Sequence, residues 1–172
     1  MPPRNIKTWK NVTYVRPSTD DKTGWGHIKD IIKEIYSNRE LKSEIDYQLN
    51  DGSKINAIKL LKQYMETYHK SRKYSLRTLK DTIDKYESRL IIRNKIEMLR
   101  DRIEKWCEKN GYEKVGLQKE VKSKTGEYIY RYSDWEMIDD HEGLMINDPQ
   151  WRPSGKQMKQ YNKLWKKYEA KV

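Results

Sequence analysis

The stretch of sequence that decides the fold is SRLIIRNKIEMLRDRIEKWCEKNG, residues 88–111. Apolar residues recur along it at steps of four, three, four and three, which is the spacing of one face of an α-helix. These residues are Ile92, Ile96, Leu99, Ile103 and Trp106. Asn110-Gly111 follows as a helix C-cap signal. The pattern predicts a helix of roughly 22 residues that begins near Glu87-Ser88.

Two shorter helices are predicted immediately before this one. Ile55, Ile58, Leu61, Met65 and Tyr68 share one helical face, and that helix is expected to end near His69. A polar, basic link follows at residues 70–73. Apolar positions at 76, 79, 83 and 86 then predict a second short helix, with Ser75 as its N-cap.

Further towards the N-terminus, residues 26–49 also follow helical spacing. Ser37-Asn38 suits a break with a new N-cap, so the pattern fits one kinked helix or two short ones. Asn50-Asp51-Gly52 is a turn signal, and Ser53 can cap the helix after it.

Beyond the decisive helix, the periodicity changes to alternation. Residues 112–121 and 127–132 each alternate, and residues 122–126 between them read as a hairpin turn. The acidic stretch 134–142 is expected to be a loop. A C-terminal helix follows, with Met158, Tyr161, Trp165 and Tyr168 on one face and lysine over most of the rest.

These elements divide the chain into five segments. They are an extended basic arm (1–25), an N-terminal helical segment (26–53), a core (54–133), an acidic loop or linker (134–153) and a basic amphipathic helix (154–172). The expected fold class is mostly α with a β-hairpin, that is, α+β.

The charge of the chain is large and segregated. The net charge is +11. Residues 54–105 carry 15 Lys or Arg against 7 Asp or Glu, residues 151–172 carry 7 against 1, and residues 106–150 carry 6 against 10. Such basic regions attract polyanions, of which nucleic acid is the commonest.

Composition also bears on the compartment. The sequence contains no apolar run long enough to span a bilayer, and the N-terminal stretch lacks the apolar segment of a secretory signal. The single cysteine, Cys107, excludes an internal disulfide and is expected to be buried. We therefore expect an intracellular, cytoplasmic protein.

The element order over residues 54–132, helix, short link, helix, longer helix and hairpin, resembles a winged helix-turn-helix domain. The resemblance is carried by residues 58–115 together with KSKTGEYIYRYS at 122–133. It implies a winged-helix-like core in which the third helix enters the DNA major groove and the hairpin, the wing, contacts the adjacent backbone. In the second half of that helix, Glu97, Asp101 and Glu104 depart from the expected charge, because phosphate would repel them.

Carried over by position, the resemblance implies that Arg89, Arg93, Asn94 and Lys95 face DNA and that Lys122 and Lys124 lie at the wing tip. Arginine can pair with guanine, asparagine with adenine, and lysine with phosphates. Other basic residues join the predicted nucleic-acid surface from the charge pattern alone. They are Arg72, Lys73, Arg77, Lys156, Lys159, Lys163, Lys166 and Lys167.

The sequence therefore predicts a nucleic-acid-binding protein, with double-stranded DNA as the expected ligand and a transcriptional regulator or accessory factor as the expected role. The alternative is a viral capsid or nucleoprotein that packages nucleic acid without reading sequence, which would place the chain in a virion. A homo-oligomer or larger assembly fits either role.

We expect no catalysis, no cofactor and no membrane insertion, since the common nucleotide-binding and hydrolase motifs are absent from the sequence. A minor alternative is a metal-dependent nuclease that uses the acidic cluster Asp134, Glu136, Asp139, Asp140, His141 and Glu142. The amphipathic C-terminal helix could lie on a membrane surface, or dock on the domain or on a second subunit.

Overall fold

A computed structural model describes residues 6–9, 22–69, 74–109, 121–122, 128–129 and 132–169 of the chain. The side chains of 22–26, Cys107, 121–122, 128–129 and 132–133 are outside that description. The described helices are α1 (Lys22–Ser37), α2 (Arg39–Asn50), α3 (Lys54–Tyr68), α4 (Leu76–Lys109), α5 (Tyr132–Asn147) and α6 (Gly155–Glu169). Two strands of two residues each, β1 (Val121–Lys122) and β2 (Tyr128–Ile129), pair antiparallel with Val121 opposite Ile129.

Apart from this one pair of two-residue strands, the described residues form an all-α fold, and the prediction of an α+β winged-helix fold was wrong. Within the described residues the paired strands are too short to form a wing. The second predicted strand was expected to run to Tyr132, but Tyr132 begins α5 instead. The predicted acidic loop at 134–142 is also helical, because α5 spans it. The rest of both predicted strands lies outside the described residues.

Helices α2 and α3 begin where their polar caps predict. Helix α1 begins at Lys22, so the predicted boundary at residue 25 between an extended arm and a helical segment was wrong. Asn38 separates α1 from α2, and its side-chain oxygen accepts a hydrogen bond from the Leu41 backbone N–H at 3.1 Å. Ser53 caps α3 in the same way, accepting from the backbone N–H of Asn56 at 3.1 Å. Each cap satisfies a backbone donor that the helix leaves unpaired at its N-terminus. The predicted break at Ser37-Asn38 and the cap at Ser53 are confirmed.

The chain forms two compact units, Met1–Ile92 and Arg93–Val172. The first unit has an apolar core to which α1, α2, α3 and the first part of α4 all contribute. Its fully buried members include Ile35, Ile45, Leu61 and Ile83, each of which contributes about 1.5–3 kcal/mol by leaving water. Ile6, from the described part of the predicted arm, is also buried in this core.

One helix, α4, supplies residues to both units, and the predicted division into two helices near Glu87-Ser88 was wrong. The Ser88 hydroxyl donates to the Asp84 carbonyl at 3.1 Å inside the helix, so it does not cap a new one. The apolar pattern does change phase there, since Leu90 and Ile92 are both buried only two positions apart. The phase change marks the passage from one core to the next.

The second unit is built from the end of α4 with α5 and α6. Its buried apolar side chains come from all three helices, namely Ile96, Leu99, Ile103, Trp106, Ile138, Met145, Tyr161, Leu164 and Tyr168. The rings of Trp106 and Tyr168 meet edge to face with their centroids 5.3 Å apart, which joins α4 to α6. The second unit is therefore a small helical core that displays α6 on its surface.

Candidate nucleic-acid interface

Helix α6 begins at a capping box. The Ser154 hydroxyl oxygen accepts a hydrogen bond from the Gln157 backbone N–H at 3.2 Å, and Gln157 Oε1 accepts one from the Ser154 backbone N–H at 2.7 Å. This reciprocal pair satisfies two donors at the start of the helix. The cap fixes the residue at which α6 starts.

The apolar face of α6 is buried in the second unit. Tyr161, Leu164 and Tyr168 are all buried. Asp134 accepts hydrogen bonds from the Tyr168 hydroxyl at 2.7 Å and from Lys167 Nζ at 2.9 Å. Of the alternatives that the sequence left open, the structure shows docking on the domain: the apolar face of α6 packs within its own unit, where it is not available for insertion into a membrane surface. Among the described helices, none is both long enough and apolar enough to cross a membrane.

Two further contacts hold α6 against α4. Arg102 donates to the Trp165 carbonyl at 2.9 Å, and its guanidinium carbon lies 3.1 Å from the centre of the Trp165 indole. Lys95 Nζ donates to Asn162 Oδ1 at 2.6 Å. Arg102 stacks on one face of the only half-buried aromatic ring of α6, so that face is not open for stacking on a base.

The solvent-facing side of α6 is a line of lysines. Lys156, Lys159, Lys163 and Lys166, here called the lysine stripe, follow each other at steps of three, four and three, so they share one helical face. All four are exposed. The stripe covers about 15 Å at 1.5 Å per residue. No ion pair engages any of them within the described residues, whereas the neighbouring Lys167 is paired with Asp134.

The charges of α6 make this face strongly cationic. The helix carries five lysines against one acidic residue, Glu169. Lys166 and Lys167 lie in the last turn, where the helix dipole favours positive charge. Duplex DNA carries about one phosphate charge per 1.7 Å of its axis, so a 15 Å line of ammonium groups lies over several phosphates at once.

Three of the four residues predicted to read bases are buried. The Arg89 side chain is only 2% exposed and donates from Nε to the Tyr36 hydroxyl at 2.9 Å. Asn94 and Lys95 are each 2% exposed as well. Arg93 is partly buried and engaged in contacts. Arg89 is a buried residue of the first unit, and Asn94 and Lys95 are buried residues of the second.

Burial changes the chemistry of Lys95. Loss of water around its ammonium group lowers the pKa from 10.5 to about 8. The burial of Lys95 could not be predicted from the sequence, because lysine is rarely buried and no local pattern distinguishes this one. It becomes visible only from the contacts of Lys95 in the folded chain.

The other predicted contacts are distributed along the chain. Arg77 is exposed at the start of α4, in the first unit. Lys122 lies in β1, where only the backbone is described. Arg72, Lys73 and Lys124 lie outside the described residues. Among the described members of the predicted set, the lysines of α6 are the ones that lie together at exposed positions.

The acidic cluster on α5 is occupied by internal partners. Glu142 forms an ion pair with Arg100, and Asp139 lies 3.8 Å from the same guanidinium. Burial raises the pKa of Glu142, against the opposing effect of Arg100. His141 Nδ1 forms a hydrogen bond with the Tyr161 hydroxyl, and burial lowers the His141 pKa.

Because the acidic cluster lies on a helix, α5, its consecutive members lie on different faces. A search of the described residues finds no group of three or more side chains arranged to hold a metal ion. The nuclease alternative has no assembled site in this part of the chain.

Comparison with known proteins finds no match, whether with protein-family models, curated proteins or solved structures.

Proposed function

We propose that this chain binds double-stranded nucleic acid through the phosphate backbone, with the lysine stripe of α6 as the contact surface. The observation that carries the proposal is the stripe itself: four exposed ammonium groups on one face, with no ion pair inside the described structure. Lysine neutralises phosphates and releases their counterions without reading bases.

The composition of the face favours a duplex ligand. Proteins that prefer single strands present aromatic rings on which bases stack. On α6, Tyr161 and Tyr168 are buried and one face of the Trp165 ring is covered by Arg102. We therefore propose binding that tolerates any sequence, as in an accessory or packaging factor. A sequence-reading regulator receives less support, because Arg89, Asn94 and Lys95 are buried.

The test is a direct binding measurement with a matched charge control. Lys156→Gln/Lys159→Gln/Lys163→Gln/Lys166→Gln removes the stripe and keeps residues that favour a helix. The control removes four exposed lysines from the first unit instead, namely Lys29, Lys33, Lys59 and Lys80. Both variants lose the same net charge, so a difference between them reports the location of the contact.

The assay is fluorescence anisotropy of a labelled duplex at about 0.1 M salt, a concentration at which phosphate contacts still dominate. If all four lysines contact phosphates, the stripe variant loses on the order of a thousandfold in affinity. The control variant is expected to lose far less, and duplexes of different sequence are expected to bind alike. Equal losses in the two variants would contradict the assignment to α6.

A further inference from the structure

The second half of α4 carries a line of carboxylates that matches the lysine stripe. Its members recur at steps of four, three and four and are here called the acidic stripe: Glu97, Asp101, Glu104 and Glu108. Asp101 and Glu108 are exposed, and Glu97 is partly exposed. Glu104 accepts a hydrogen bond from the Trp135 indole N–H at 3.1 Å. The acidic stripe spans about 17 Å, close to the length of the lysine stripe.

One cation, Arg100, lies between the acidic stripe and α5. Its guanidinium is 3.6 Å from Asp101 and 3.9 Å from Glu104, and it also pairs with Glu142 and lies 3.8 Å from Asp139. One positive charge shared among four carboxylates leaves this surface with a net negative charge. Lys105 and Lys109 lie on the opposite flank of α4, by helical spacing. Helix α5 extends the negative charge, since it carries no lysine or arginine.

Within one copy, the two stripes cannot meet. The contacts that pack α4 on α6 use Lys95, Arg102 and Trp106 on α4, which lie on the side of that helix away from the acidic stripe. On α6 they use Trp165 and Tyr168, on the side away from the lysine stripe. Consistently, no ion pair joins the two stripes in the described part of the chain.

We propose that the acidic stripe of one copy docks on the lysine stripe of a second copy. Both surfaces are helical lines of similar length, opposite charge and similar step pattern, and each lies on the outer side of its helix. Because the two surfaces differ, the contact is head-to-tail, and repetition of it gives an open chain or a ring of copies. Exposed ion pairs contribute about 0.2–1 kcal/mol each, so four of them give a salt-sensitive contact with a dissociation constant of about 1 mM or weaker.

This docking also regulates the proposed activity. Nucleic acid and the acidic stripe of a neighbour compete for the same four lysines, so added duplex dissociates the assembly. The competition rests on the proposed function, whereas the self-association does not. The two claims can therefore fail separately.

The test of docking is the mass of the full-length chain in solution, measured by analytical ultracentrifugation over a range of concentrations at low salt. The acidic-stripe variant is Glu97→Lys/Asp101→Lys/Glu108→Lys, and the lysine-stripe variant is Lys156→Glu/Lys159→Glu/Lys163→Glu. A control with the same charge change as the acidic-stripe variant, Asp30→Lys/Glu40→Lys/Glu44→Lys, alters exposed residues of the first unit.

The wild type and the control are expected to rise above the monomer mass of 20.9 kDa as concentration increases. Each stripe variant alone is expected to stay monomeric, because its two stripes now carry like charge. An equimolar mixture of the two is expected to associate, since each supplies the stripe that the other lost. The neutral variant Glu97→Gln/Asp101→Gln/Glu108→Gln disturbs folding less than the lysine substitutions do. It is expected to self-associate more weakly than the wild type.

A wild type that remains monomeric at every concentration in low salt would overturn the proposal, and so would a mixture of folded variants that fails to associate. Helix content measured by circular dichroism identifies the folded variants. Duplex binding is then measured on the acidic-stripe variant, which keeps the lysine stripe. If the chain self-associates but no duplex binds, the docking stands and the proposed function fails.

Discussion

Replacing Lys95 by methionine is expected to stabilise the protein near neutral pH and to change how its stability depends on pH. The side chain is 2% exposed and its pKa is lowered from 10.5 to about 8 because burial removes water from the ammonium group. Methionine fills a similar length without a charge. The hydrogen bond to Asn162 is lost, but Asn162 is partly exposed, so water can replace it.

The magnitude follows from proton linkage. Between the two pKa values, Lys95 is protonated in the unfolded chain and neutral in the folded chain. The free energy of unfolding therefore rises as the pH increases from about 8 to about 10.5. The difference between the two values corresponds to about 3 kcal/mol. In Lys95→Met this rise is absent, and the variant is expected to be more stable than the wild type at pH 7 by up to that amount.

The assay is urea unfolding at a series of pH values through this window, for Lys95→Met, the wild type and Lys80→Met. Lys80 is an exposed lysine on the same helix, so its replacement controls for the loss of one charge. Apart from Lys95 and Lys80, the three proteins have the same sequence, so the difference between the curves isolates Lys95. Parallel curves for Lys95→Met and the wild type would refute the reasoning.

Two further predictions concern the second unit. Burial lowers the pKa of His141, so the unfolded chain takes up a proton first and stability is lost as the pH falls below about 6.5. Urea unfolding of His141→Gln is expected to show a shallower loss over this range than the wild type, and equally steep losses would contradict the assignment. Ser154→Ala removes the N-cap of α6 and is expected to lower the free energy of unfolding in urea by about 1 kcal/mol. The control Ser43→Ala, at an exposed position within α2, is expected to lower it by less. Equal decreases would argue against the cap.

Much of the helical pattern was predictable from the sequence because the caps are local. Asn38 and Ser53 each accept from a backbone N–H three residues on, and such contacts depend only on neighbouring residues. The lysine stripe was predictable for the same reason, since spacing alone places its members on one face of α6. The C-terminal helix was confirmed at Gly155–Glu169.

The errors came from features that depend on tertiary packing. Glu87-Ser88 was read as the start of a new helix, yet the shift of the apolar pattern beside it marks a change of core along one continuous helix. Helix α5 was missed because its buried side includes His141 and Glu142, which a hydrophobic pattern does not count as apolar. Arg89 was assigned to DNA by its position in the winged-helix resemblance. Its contact with Tyr36 could not be foreseen, because it joins residues far apart in sequence.

The central claim is that the lysine stripe of α6 contacts phosphates, and the salt dependence of duplex binding tests it most directly. Each phosphate contact contributes about 0.9 to the slope of log affinity against log salt. We expect the slope of Lys156→Gln/Lys159→Gln/Lys163→Gln/Lys166→Gln to be smaller than that of the wild type by about 3 to 4, with the slope of the first-unit control nearly unchanged. A stripe variant with the wild-type slope would contradict the account.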